Sequence, residues 1–193
     1  MKHMKMLSLA AAAAMAFTAL ASSSASATTA LEVGGEYKSS VFIIASLASG
    51  TSAVLSRTDG SLANTCTVSE VLGDTETPTG ATVTGAVDSL TFLNCTRTVT
   101  VHQKGTLHIE HISGTNGTVS SSGAEVTVGS PFGTLNCKTG AGVDIGTLTG
   151  VKAGQATMDV NTVLNCGFLV PSATWKGTYT ITSPSGLGVF TPI

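Results

Sequence analysis

The chain has 193 residues, of which only 10% are charged and 5% aromatic, with nine Lys and Arg against eleven Asp and Glu. Without a basic cluster there is nothing to meet a phosphate backbone or an anionic membrane surface, which argues against nucleic acid as a partner. The surface must be covered by Thr, Ser and Gly instead, a low-charge coat that suits β-strands and resists association poorly.

The first residues read as an address. Lys2, His3 and Lys5 give a basic start, residues 6–20 an apolar run, and Ala25-Ser26-Ala27 a small-x-small cleavage site. That is the pattern of a bacterial secretory signal peptide over residues 1–27, too short and wrongly flanked for a membrane anchor. Residues 28–193 then form the expected mature chain, 193 − 27 = 166 residues, long enough for one domain with its own core. Its charge balance is seven basic against eleven acidic, 7 − 11 = −4.

Residues 28–40 are small and polar and read as a loose arm or first edge strand. Val41-Phe42-Ile43-Ile44-Ala45 reads as a buried strand, and residues 52–56 as a second one leading into an Asp59-Gly60 turn. Residues 70–80 hold the densest acidic cluster and a proline, and are expected as an exposed loop. From Ala81 the alternation is plain: Val83, Gly85 and Val87 take one face, then Val99 and Val101 point inward. A hairpin near Lys104-Gly105 is expected to return the chain through Leu107 and Ile109, with the next turn at Asn116-Gly117.

Further on, Ala124, Val126 and Val128 face the core, as do Val143 and Ile145. In the last long strand Trp175, Gly177, Tyr179 and Ile181 share one face against Thr174, Lys176, Thr178 and Thr180. Residues 187–190 read as a closing edge strand. Strands at roughly ten-residue intervals with turn signals between them predict an all-β fold, an antiparallel sandwich or barrel. No helical period is present beyond the signal segment.

Three Leu-Asn-Cys tripeptides end at Cys95, Cys137 and Cys166, and Cys66 is the fourth cysteine. The separations match, 95 − 66 = 29 and 166 − 137 = 29. A shift of 71 residues lays Cys66 on Cys137, Asp88 on Asp159, Thr91 on Thr162 and Leu93-Asn94-Cys95 on Leu164-Asn165-Cys166. With one residue of slip, residues 105–109 fall on 177–181. This weak internal repeat, 66–114 on 137–186, predicts two pseudo-repeated halves within one domain in preference to two tandem modules.

Four cysteines allow three pairings, and in an exported chain they are expected as disulfides. The repeat favours Cys66–Cys95 with Cys137–Cys166. Zinc would call for clustered ligands such as C-x-x-C, which the chain lacks.

His102, His108, Glu110 and His111 are the only clustered polar chemistry. His108 and Glu110 lie two apart and so share a strand face. A hairpin at residues 103–106 would bring His102 to them, giving two imidazoles and a carboxylate for a transition metal or a general base. The competing reading, solvent-facing histidines opposite an inward Leu107 and Ile109, is favoured. Asp88 and Asp159 are equivalent in the repeat and invite a carboxylate pair, against the plainer reading of solvated strand residues. Trp175 and Tyr179 could floor a sugar site, although lone aromatics at strand spacing are usually core. No G-x-S-x-G, S-x-x-K or H-E-x-x-H pattern occurs.

The Thr65-Cys66-Thr67 entry, the strand Leu90-Thr91-Phe92-Leu93-Asn94-Cys95 and the closing stretch over residues 174–184 resemble small exported bacterial β-proteins of the alkane-oxidation-activator (PraB-like) type. The resemblance covers about two-thirds of the mature chain and rests on paired cysteines, glycines and threonines, so it carries over no functional residue. It implies a non-catalytic accessory protein that helps cells handle apolar substrates or builds surface material.

The residues themselves point first to a non-enzymatic, disulfide-bonded protein of the periplasm, cell surface or medium. It would act by interaction, with copies of itself (an oligomer or fibre) or with cell-surface material, and need no cofactor. The alternative is a carrier of a small apolar ligand or carbohydrate. A metal-dependent hydrolase using His102, His108 and Glu110 stands third.

Overall fold

The computed structural model describes residues 28–192 apart from 58, 62, 131, 132 and 169, so the expected signal peptide lies outside the described residues. Sixteen strands follow one another, and no helix occurs among the described residues. They are β1 (Thr29–Val33), β2 (Glu36–Tyr37), β3 (Phe42–Leu47), β4 (Ala53–Arg57), β5 (Asn64–Thr77), β6 (Thr79–Gly80), β7 (Val83–Cys95) and β8 (Val99–Gln103). There follow β9 (Thr106–Ser113), β10 (Asn116–Ser122), β11 (Glu125–Ser130), β12 (Gly133–Lys138), β13 (Val143–Thr149), β14 (Thr157–Leu164), β15 (Ala173–Ser183) and β16 (Leu187–Phe190).

Eight of these close on themselves. The antiparallel order β14-β13-β10-β9-β7-β5-β3-β15 returns to its start because β15 also pairs with β14, from Thr157↔Thr180 to Leu164↔Ala173. The choice between sandwich and barrel thus falls to a barrel, whose closure leaves no ladder unpaired around its girth.

Alternation drives this closure. In β14, Met158, Val160, Thr162 and Leu164 are buried between exposed Asp159, Asn161 and Val163. Each large apolar side chain fully buried this way contributes about 1.5–3 kcal/mol. A one-residue slip would turn the whole set outward, so the register is strongly fixed. Both repeat copies supply staves: β5, β7 and β9 from the first, β13, β14 and β15 from the second.

The barrel is closed at one end and extended at the other. At the turn end of the β5–β7 hairpin, a small sheet of β16, β1, β2 and β6 buries Leu31, Leu187 and Val189 against the barrel interior. At the other end β5 and β7 outrun the barrel. Here β4 takes the place of β3 between β5 and β15: it pairs with β15 over Ala173–Lys176 and with β5 over Asn64–Cys66. Against this extended wall lies a separate three-stranded sheet, β12-β11-β8, and between them sits a second core of Leu135, Cys137, Leu164, Cys166, Val170 and Ala173.

The two disulfides are Cys66–Cys95 and Cys137–Cys166. The first ties neighbouring strands that are already in register, Cys66↔Cys95 next to Val68↔Leu93. The second ties the three-stranded sheet to the end of β14, beside a single antiparallel bridge, Lys138↔Asn165.

Several expectations are corrected. Residues 70–80 are no loop: β5 runs through to Thr77, with Val71, Gly73 and Thr75 lining the barrel interior while Asp74 and Glu76 are exposed. The first residues are no loose arm, since Ala30 and Leu31 are fully buried and β1 lies between β16 and β2. The turn expected at Asn116-Gly117 falls at Gly114-Thr115, between paired Ser113 and Asn116, with Gly114 at φ +60°. Asn116 is already strand, and its side chain accepts a hydrogen bond from Gly150 N–H at 3.1 Å.

Candidate functional site: an apolar cavity between two sheets

The expected hairpin at residues 103–106 does not form. β8 pairs with β11 in the three-stranded sheet, whereas β9 pairs with β10 and β7 in the barrel. The link between them is pinned to the barrel by Val87 N–H donating to Gly105 O and by the Lys104 ammonium donating to Asp88 O. His102 and His108 therefore stand in different sheets.

His102 Nε2 lies 3.0 Å from Thr127 Oγ1. Both ring nitrogens of His108 meet hydroxyls, Thr84 Oγ1 and Thr106 Oγ1, each at 3.3 Å. His108 and Glu110 do share the outward face of β9, on either side of buried Ile109. His111 donates from Nε2 to Gly114 O at 3.1 Å, which leaves Nδ1 to accept from Thr191 Oγ1 at 3.0 Å. Among the described residues no three His, Cys, Asp or Glu side chains cluster as a metal ion would require.

The repeat-related acids do not meet either. Asp88 is on β7 and Asp159 on β14, and three strands lie between those in the barrel order. Asp159 accepts from Thr178 Oγ1 at 2.7 Å. Tyr179 is wholly buried, so it is core and not the floor of a sugar site. Its hydroxyl pairs with Ser69 Oγ at 3.0 Å, and burial pushes its pKa up to about 12, the Ser69 hydrogen bond pulling slightly the other way.

What the fold does assemble, among the described residues, includes two apolar cavities of about 60 Å³ each. One is the barrel interior, among Ile43, Val83, Leu107, Val119 and Met158. An eight-stranded barrel is just wide enough for side chains to fill, and this one is nearly filled.

The other lies between the three-stranded sheet and the extended wall. Phe92 and Trp175 contribute from the wall, Val99, Val126 and Val128 from the facing sheet, and Cys66 and Cys137 bring one end of each disulfide to its lining. The two rings meet edge to face, 6.0 Å between centroids, and Trp175 in turn meets Tyr179 at 6.5 Å. Such pairs hold ring orientation beyond simple area burial.

Its polar lining is already engaged. The Asn64 side chain accepts from Arg97 N–H at 2.8 Å and donates to Arg97 O at 3.2 Å, and Thr139 Oγ1 accepts from Ala124 N–H at 3.0 Å. The space therefore offers contact and shape, with the exposed Lys138 as its charged lining residue.

Leu90 and Phe92 of β7 and Val99 of β8 reach this cavity from two open strand edges. β7 has a second ladder partner only over Val83–Ala86, and β8 is paired on one side only. On the outside of the same wall, Val68 and Leu93 stand directly across from each other, 40% and 57% exposed.

The valines of β8 and β11 were legible as core-facing. That they face a second core was not. No protein-family model, no curated protein and no solved structure matches the chain.

Proposed function

We propose that this chain is an exported, non-catalytic accessory protein that works by contact, associating with further copies of itself through its open-edged wall. The observation that carries this reading is the conjunction on β7: an unpaired strand edge over residues 89–95 beside the exposed apolar pair Val68–Leu93. An edge strand without charge or proline to blunt it is a template for strand addition. A low-charge surface offers little repulsion to stop it. Disulfides fit an oxidising compartment, and no helix among the described residues is long and apolar enough to cross a membrane, which agrees with export. The PraB-like resemblance points the same way, to an accessory role in handling apolar substrates.

Light scattering on residues 28–193 across a wide concentration range tests this. The mass should grow with concentration, and Val68→Lys with Leu93→Lys should suppress that growth with little change in melting temperature, because both side chains face outward. A mass that stays monomeric at every concentration refutes self-association.

A further inference from the structure

We propose that the cavity between the three-stranded sheet and the barrel wall is a binding site for a small uncharged hydrocarbon, either a single ring or a short alkyl chain. The site is independent of copy-to-copy contact and stands whether or not the chain assembles.

Three observations converge on it. First, its buried polar lining is engaged: Asn64 is spent on the Arg97 main chain and Thr139 on Ala124. Apart from the exposed Lys138, a ligand's hydrogen-bonding groups would meet only side chains already engaged, and burying an unpaired polar group is costly. Second, the lining is apolar with an aromatic pair at its wall, Phe92 against Trp175, the surface that hydrocarbon contacts best. Apolar cavities take up xenon or small hydrocarbons.

Third, the two sides of the cavity share no strand ladder. The wall belongs to the closed barrel, whereas the facing sheet is the separate three-stranded one. That sheet is held by Cys137–Cys166, the Lys138↔Asn165 bridge and the Asn64–Arg97 contacts. At about 60 Å³ the space takes an atom the size of xenon as it stands. A ring needs the sheet to move outward slightly, and this arrangement allows that without breaking any barrel ladder.

Trp175 is the only tryptophan in the chain and lines this cavity, not the barrel interior. Bromocyclohexane, whose bromine quenches indole on contact, should therefore quench its fluorescence saturably and raise the melting temperature. Ala124→Val with Val126→Leu fills the space from the facing sheet and should weaken binding about tenfold or more. Should that variant fail to fold, xenon-induced methyl shifts in the unmodified protein decide, with Val126, Val128 and Leu164 expected to move. Hexanoate tests the charge: binding tighter than bromocyclohexane would overturn the uncharged class in favour of a carboxylate drawn to Lys138. Linear, unsaturable quenching, or xenon shifts confined to Ile43, Val119 and Met158, would overturn the site itself.

Discussion

Removing the two disulfides one at a time should give equal global losses and unequal local ones. Both bridges span a sequence separation of 29. In chain-entropy accounting a closed loop of that length removes about 12 cal/mol/K from the unfolded chain, or about 3.6 kcal/mol at 25 °C. Cys66→Ser with Cys95→Ser, and Cys137→Ser with Cys166→Ser, should each lower unfolding free energy by about that amount. For an ordinary urea slope of about 2 kcal/mol/M, each midpoint falls by nearly 2 M.

The local consequence differs because the bonds sit differently. Cys66–Cys95 joins strands that the β5–β7 ladder already holds, whereas Cys137–Cys166 reinforces one isolated bridge. Hydrogen exchange on the second variant should show β11 and β12 opening below the global limit while the barrel strands still exchange together. The Trp175 emission should shift to the red under native conditions in that variant alone. If β11 and β12 keep their protection relative to the barrel, apolar contact and not the bond holds the sheet. A gap of more than about 1 kcal/mol between the two global losses would refute the loop-length reasoning itself.

Two further outcomes follow from single residues. Unfolded Tyr179 ionises near its ordinary pKa of 10.0, whereas the folded group holds its proton to about 12. Between those values the unfolded state binds fewer protons, so the stability present below pH 10 is lost as pH rises, by about 2 kcal/mol at pH 12. Tyr179→Phe should flatten that decline in urea melts, and an unchanged slope would count against the burial argument. At Gly146, φ is +155° and a Cβ would lie 1.9 Å from Asp159 O, at the bulge where β13 passes β10 and β14. Gly146→Ala should cost about 3 kcal/mol in the same melts, and a change within 0.5 kcal/mol, the range of neutral surface substitutions, would mean that the bulge yields easily.

The parts of this fold legible in the sequence are those where one side of a strand meets a core and the other meets water. Residues 173–183 declare themselves because every second side chain is threonine or lysine and the others include Ala173, Trp175, Tyr179 and Ile181. Residues 70–77 misled for a related reason. Glu70, Asp74 and Glu76 are the solvent side of a stave whose inner side is Val71, Gly73 and Thr75, small enough to give little apolar signal. Composition alone turned a strand into a loop. The cysteine pairing was recoverable because equal spacing within a repeat reflects two loops of the same length. The repeat said nothing of the sheets they join: Cys66 is on a barrel strand and Cys137 on the separate sheet.

The histidines show why the site was harder to read than the fold. Period-two alternation assigns a side chain to a face, and it placed His108 and Glu110 together correctly. It cannot say whether two consecutive strands turn back on each other or part company. Val99 and Val101 face a core, as do Leu107 and Ile109, and a local reading makes that one core and one hairpin. In the molecule the chain crosses between sheets at residues 104–105, where the flanking strands find other partners, β8 with β11 and β9 with β10 and β7. That crossing separates His102 from His108. With the turn at residues 96–98, it also sets β8 over the wall and leaves the apolar space beneath it. The step that takes a catalytic cluster apart is therefore the step that creates the cavity, so the functional question moves from reactive groups to what an apolar space admits.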